Sequence, residues 1–209
     1  METKIDKTKT ALVVIDLQKG IVGRQTAPQS PDVVVKNAAA LAEACRKNAM
    51  PVFLVRVTPS PDGKDALHPL TDIGMWTRSQ KDAPNAKATS AAGRQQMPAD
   101  FAEIVSELGP KPGDFVVTKH QWGAFYGTEL DLELRRRGIG TIILCGISTN
   151  IGVESTARFA YELGYNQIFA EDAMSAMSEE EHNFTVTKTF PRIGLVRKTA
   201  EILAGLSEI

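Results

Sequence analysis

The sequence predicts a three-layer α/β/α sandwich built on a six-stranded parallel sheet. Three observations carry this. Short apolar runs rich in β-branched residues recur along the chain. Amphipathic stretches of roughly 10 to 16 residues separate them, the length that a parallel crossover needs. Apolar residues make up 43% of the 209 positions, enough for a sizeable core. No internal repeat or clear linker divides the chain, so one domain over residues 1–209 is expected.

Ala11–Ile15 reads as a buried strand ending at Asp16. Pro31–Arg46 reads as a helix: Ser30 suits the cap, Pro31 the first turn, and Val34, Ala38, Leu41 and Cys45 share one face. Pro51–Val57 is the second strand. Ala99–Leu108 reads as a helix closed by Gly109. Asp114–Thr118 is the third strand, followed by Lys119. Thr128–Arg137 reads as a helix, with Thr128 and Asp131 spaced as a capping box and Gly138 as the stop. Thr141–Cys145 is the fourth strand, Asn150–Leu163 a helix stopped by Gly164, and Gln167–Glu171 the fifth strand. Glu179–Thr189 is a helix, Gly194–Arg197 the sixth strand, and Thr199–Leu206 a last short helix. Such repeated βαβ units give a doubly wound, Rossmann-like sheet. The stretch 58–98 departs from the pattern, being far longer than the ~12–15 residues usual for a structureless loop. It is either a surface excursion with one short helix or a lid or subunit contact.

Composition narrows the function. Lys plus Arg is 24 and Asp plus Glu is 25, a net charge of −1. That balance matches a polyphosphate backbone poorly, so no nucleic-acid partner is expected. Two cysteines and three histidines make neither a disulfide scaffold nor a zinc cluster, and no metal is expected. No GxGxxG or P-loop occurs, so no cofactor is expected. The opening METKIDKTKT is polar and no run of 18 apolar residues follows, which predicts a cytoplasmic protein without membrane contact.

Ligands of open α/β sheets bind beyond the carboxyl ends of the strands. Asp16, Lys119 and the run Gly146-Ile147-Ser148-Thr149-Asn150 all follow strands. A carboxylate moves protons, an ammonium tunes its pKa, and helix N–H groups hold a developing oxyanion. Spacing alone leaves the alternatives open: an Asp at a strand end is often a turn residue, and a Lys there often points into water.

The segments TALVVIDLQKG, VTKHQWGAFYGTEL and LCGISTNIGVESTARFAYELGY, in that order, resemble the isochorismatase-like hydrolase family. The wording TNIGVESTAR is most like its Cys-less, YecD-type branch. The resemblance runs roughly from Thr10 to Leu206. It implies a six-stranded parallel sheet, Asp16 as general acid/base, Lys119 as its partner, and a cis peptide at Ile147-Ser148. The family's nucleophilic cysteine would stand at Gly152. Glycine excludes acyl-enzyme chemistry there and costs about 0.5–1 kcal/mol in a helix. Either a ligand needs the space, or the helix start packs closely against the turn. Isochorismatases proper hydrolyse a vinyl ether, such as that of isochorismate, without an enzyme nucleophile. Hydrolysis by Asp16 and Lys119 with water is therefore the expected function; a non-catalytic small-molecule binder is the alternative. Metal-dependent relatives carry Asp-x-His after the second strand, where this chain has Arg56-Val57-Thr58. The family usually assembles, so a homo-oligomer is expected.

Gln18, Trp122, Phe125, Ile147 and Ser148 are the expected substrate-binding residues, although Gln18 also suits a satisfied loop amide and the aromatics also suit packing. Lys119 is an alternative clamp for a substrate carboxylate. Trp76 and Arg78 lie in the long segment, where an arginine suits a carboxylate. Cys145 and Cys45 read as core residues, His120 as structural, and Arg135-Arg136-Arg137 as a solvated helix end.

Overall fold

The computed structural model describes residues 4–60, 72 and 98–207. Its strands are β1 (Thr10–Ile15), β2 (Val52–Val57), β3 (Phe115–Lys119), β4 (Thr141–Ile147), β5 (Asn166–Ser175) and β6 (Leu195–Arg197). Its helices are α1 (Lys19–Val22), α2 (Pro31–Lys47), α3 (Leu130–Arg136), α4 (Glu154–Glu162), α5 (Glu179–Phe184), α6 (Phe190–Ile193) and α7 (Thr199–Ser207). The six strands form one all-parallel sheet in the order β3-β2-β1-β4-β5-β6. The chain winds outward from β1, then restarts on its other side with β4. A crevice opens at such a switch point, beyond the carboxyl ends of β1 and β4.

The apolar runs follow from two-sided burial. All six residues of β1 are buried. Leu12 and Val14 join Leu54, Ile143 and Cys145 on one face; Ala11, Val13 and Ile15 join Phe53, Val55 and Leu144 on the other. A strand covered on both faces has no solvent position for a polar side chain. Helix α2 covers the first face through Val34, Ala38, Leu41 and Cys45. Ser30 caps it by accepting from Val33 N–H, and Pro31 opens its first turn, as the sequence predicts. Ile202 and Leu206 of α7 join the same core. On the second face lie Leu130 and Leu134 of α3, Ala157 and Ala160 of α4, and Phe190 of α6, whose ring stacks on Phe169 at 3.8 Å. Gly146 permits the close approach at the switch point. Its φ is +128°, and a Cβ there would meet Ile15 O at 2.0 Å.

The structure corrects several expectations. Residues 99–108 are not a helix; turns flank an isolated antiparallel bridge between Ile104 and Gln18. Their backbone groups bond to the loop after β1 instead: Lys19 N–H to Glu103 O, Gly20 N–H to Phe101 O, and Val105 N–H to Leu17 O. The capping box at Thr128 and Asp131 does not form. Thr128 Oγ1 accepts from Leu130 N–H and donates to Ala124 O, while Asp131 accepts from the Tyr165 hydroxyl at 2.8 Å. The helix expected from Asn150 opens with a π-helical turn, Thr149–Val153, before α4. The helix expected over Glu179–Thr189 divides into α5 and a π-helical turn, Thr185–Thr189. Strand β5 runs past Glu171 to Ser175, pairing Met174 and Ser175 with Gly146 and Ile147. Arg135 and Arg137 lie over the rings of Tyr165 and Phe115 rather than only in solvent. Most of the long segment, with His68, Trp76 and Arg78, falls outside the described residues. Among the described residues no helix is long and apolar enough to cross a membrane.

Candidate functional site

Asp16 directly follows β1 with φ +56°, a left-handed conformation that aspartate tolerates better than most residues. The turn sends its side chain to a buried place at the switch point, 5% exposed. Lys119 is the last residue of β3 and is 1% exposed. Its ammonium donates to Asp16 Oδ2 at 2.8 Å, to Gln121 O at 3.1 Å and to Trp122 O at 2.8 Å. An ammonium has three protons, and all three are used. Lys119 therefore holds Asp16 and the loop after β3; it has no donor left to clamp a substrate carboxylate, which removes that alternative.

Asp16 Oδ1 is buried with no hydrogen-bond partner among the described residues. Burial raises the carboxyl from its ordinary 3.8 to about 6, outweighing the pull of the Lys119 ammonium. The oxygen that does not accept from Lys119 is the natural seat for a proton. A carboxyl that changes state near neutrality suits general acid/base work.

The crevice holds a small cavity of about 60 Å³. Asp16, Lys119, Gly152, Trp122, Ile147 and Ser148 line it together. The peptide between Ile147 and Ser148 is cis. A Cβ placed on Gly152 would lie 3.0 Å from Asp16 Oδ2 and from Ile15 Cγ2, and 3.6 Å from Lys119 Nζ. A side chain at 152 would thus crowd into the ion pair, and glycine leaves that space open. Two expected substrate contacts are corrected. Gln18 is fully buried, and its amide donates to Val57 O and Phe101 O and accepts from Val57 N–H. It is a structural clamp. Phe125 is 6% exposed and packs on Tyr165 in the core below the loop.

Ile21, Val57, Gln121 and Ile151 also line the cavity and were missed by the sequence reading. The strand-end rule that found Asp16 points equally to Val57. Ile21 lies on a four-residue helix, too short to show a period. The thiols of Cys45 and Cys145 are both buried. Burial pushes Cys45 up to about 12 and Cys145 higher still, so neither is a nucleophile. His182 is buried, its Nδ1 2.9 Å from Thr149 Oγ1, and His120 Nδ1 lies 2.5 Å from Thr58 O. Among the described residues no cluster of three His, Cys, Asp or Glu is placed to hold a metal.

Comparison with known proteins sets this geometry in context. The model of the isochorismatase domain matches residues 10–201. The uncharacterized isochorismatase family protein YwoC of Bacillus subtilis is 53% identical over 95% of this chain and 95% of its own length. The uncharacterized isochorismatase family protein YecD of Escherichia coli O157:H7 is 48% identical over 97% of this chain and 99% of its own. A probable isochorismatase of Pseudomonas chlororaphis is 29% identical over 95% and 87%. Among solved structures, an isochorismatase family protein from Burkholderia thailandensis has a TM-score of 0.86 and 42% identity, with 100% of both chains covered. A cysteine hydrolase from Pseudomonas syringae has a TM-score of 0.75 and 26% identity over 98% and 95%.

Proposed function

The chain belongs to the isochorismatase family, and from that premise we propose that this hydrolase uses Asp16 to move the proton and water as the nucleophile. The observation that supports this most is Asp16 itself. Its carboxyl is buried beside Lys119 and shifted to about 6, Oδ1 is unpartnered, and Gly152 leaves space against Oδ2, the oxygen that Lys119 holds. A vinyl ether such as isochorismate suits such an acid. Asp16 gives its proton to the terminal vinyl carbon, and the ether carbon becomes an oxocarbenium ion. Water adds to that carbon and returns a proton to the carboxylate. The hemiketal then breaks its C–O bond, giving a ketone and an alcohol. Trp122, Ile147 and Ser148 would shape the pocket, and Lys119 would hold the acid in place. In this scheme Gly152 contributes room rather than a covalent bond.

The test is turnover of isochorismate by the wild-type protein and its Asp16→Asn variant. Loss of one positioned acid lowers the rate by about 10²–10⁴-fold. Undiminished turnover in the variant refutes the role of Asp16. Saturable binding without turnover by the wild type would instead make the chain a binder, a reading that the missing side chain at 152 also supports. The chain is further proposed to assemble with copies of itself, which the exposed Tyr126, Phe159 and Phe184 support. Sedimentation showing only monomer refutes this.

A further inference from the structure

Two of the segments that wall the cavity never meet in the sheet. One is the loop after β3, which brings Gln121 and Trp122; the other is the turn after β4, which brings Ile147, Ser148, Ile151 and Gly152. The loop is closed on itself by the Gln121 amide, which donates to Gly123 O at 3.1 Å and to Tyr126 O at 2.6 Å. It is therefore a compact unit, and its placement depends on what ties it to the rest of the site.

Two ties stand out. Lys119 reaches it from below through the carbonyls of Gln121 and Trp122. The second comes from α4. Thr156 is fully buried, and its hydroxyl accepts from Ala124 N–H at 3.1 Å while donating to Gly152 O at 2.7 Å. A hydroxyl has one proton to give and lone pairs to receive, so this group is used in both directions. It joins the loop that carries Trp122 to the residue that leaves room beside Asp16. The far end of the same turn is held separately, by Thr149 Oγ1 against His182 Nδ1.

We propose that Thr156 is a positioning residue, whose hydroxyl sets the distance between the Trp122 wall and the Gly152 wall and so fixes the width of the cavity. The proposal rests on reading this cavity as the site. It concerns the placement of the walls, however, so it is testable without any substrate. Absence of hydrolysis would leave its readouts untouched, and the two readings fail separately.

Thr156→Val keeps the shape of the side chain but leaves Ala124 N–H buried without an acceptor. Thr156→Ser keeps the hydroxyl and is the rescue. Trp122 becomes the only tryptophan in a Trp76→Phe background, since the chain has two. The Ala124 amide should be protected from hydrogen exchange in the wild type. In the valine variant its exchange should speed by at least about fivefold and acrylamide should quench Trp122 more readily, while the amides of β1 and β4 stay unchanged. The serine variant should restore both readouts. Fast exchange at Ala124 in the wild type overturns the proposal, a measurement that stands even if the valine variant fails to fold. A folded valine variant with wild-type exchange and quenching overturns it too, as does a serine variant that restores neither.

Discussion

Asp16→Asn separates a carboxyl raised by burial from one lowered by its ammonium partner. Asp16 is shifted from 3.8 to about 6 in the folded chain. Between those values the native protein holds a proton that the unfolded chain has released. Stability from this group is therefore largest below the unfolded value and falls as pH rises through the window. The loss amounts to about 3 kcal/mol and levels off above the folded value. Asparagine does not titrate. The measurement is urea unfolding of wild type and variant across about pH 4 to 8. Carboxylates common to both chains cancel in the difference. The wild type should lose somewhat over 2 of those roughly 3 kcal/mol relative to the variant between the two ends, the rest lying below pH 4. A flat difference would refute the reasoning. So would the opposite slope, which a carboxylate held below 3.8 by Lys119 would give. Lys119→Met sharpens the test. It removes the lowering influence and leaves burial alone, so Asp16 should titrate higher still. Breaking the buried pair should cost about 3–5 kcal/mol at neutral pH, recovered in part as Asp16 protonates on acidification.

Other outcomes follow from single contacts. Gly152→Cys should place a thiol next to Lys119, alkylated by iodoacetamide on the order of tenfold faster than the buried Cys45 and Cys145, as peptide mapping would show; equal rates would mean that residue 152 does not face the cavity. Gln18→Ala strands Val57 N–H and two carbonyls and should cost about 2–3 kcal/mol in chemical denaturation. Asp114→Asn removes the charge that faces the half-buried Arg46 guanidinium at 2.6 Å and should lower stability by about 1–2 kcal/mol at neutral pH, Glu43 remaining as a partner. Gly146→Ala drives a Cβ against Ile15 O. It should cost more than about 3 kcal/mol or abolish soluble expression.

Much of the fold is legible because burial on both sheet faces writes itself as unbroken apolar runs. ALVVI, FLV and TIILC each mark a strand, and the polar residues where β1 and β3 end mark the candidate site. The misreadings share a cause. Phe101, Ile104, Val105 and Leu108 carry helical spacing and do enter the core, Phe101 only partly buried. Their backbone partners lie some eighty residues away in the loop after β1, which no local period reveals. The acidic Glu171 reads as the end of β5, yet the strand continues, and the next carboxylate, Asp172, finds its partners far along the chain by accepting from Thr199 N–H and hydroxyl at the start of α7. Both π-helical turns are invisible to a 3.6-residue period. Phe125 was misplaced because an aromatic beside the mouth looks the same in sequence whether it points up to a ligand or down to Tyr165.

Gln18 has a consequence for how this scaffold tolerates change. One amide grips the chain at Val57, where it departs from the sheet, and at Phe101, where it comes back. This one side chain ties the two points to each other, beside the backbone bonds that hold each of them: Thr58 N–H to Lys119 O at the first, and Gly20 N–H to Phe101 O at the second. A change at position 18 is therefore felt at once in two places that the sequence holds far apart, and both lie next to the turn that carries Asp16.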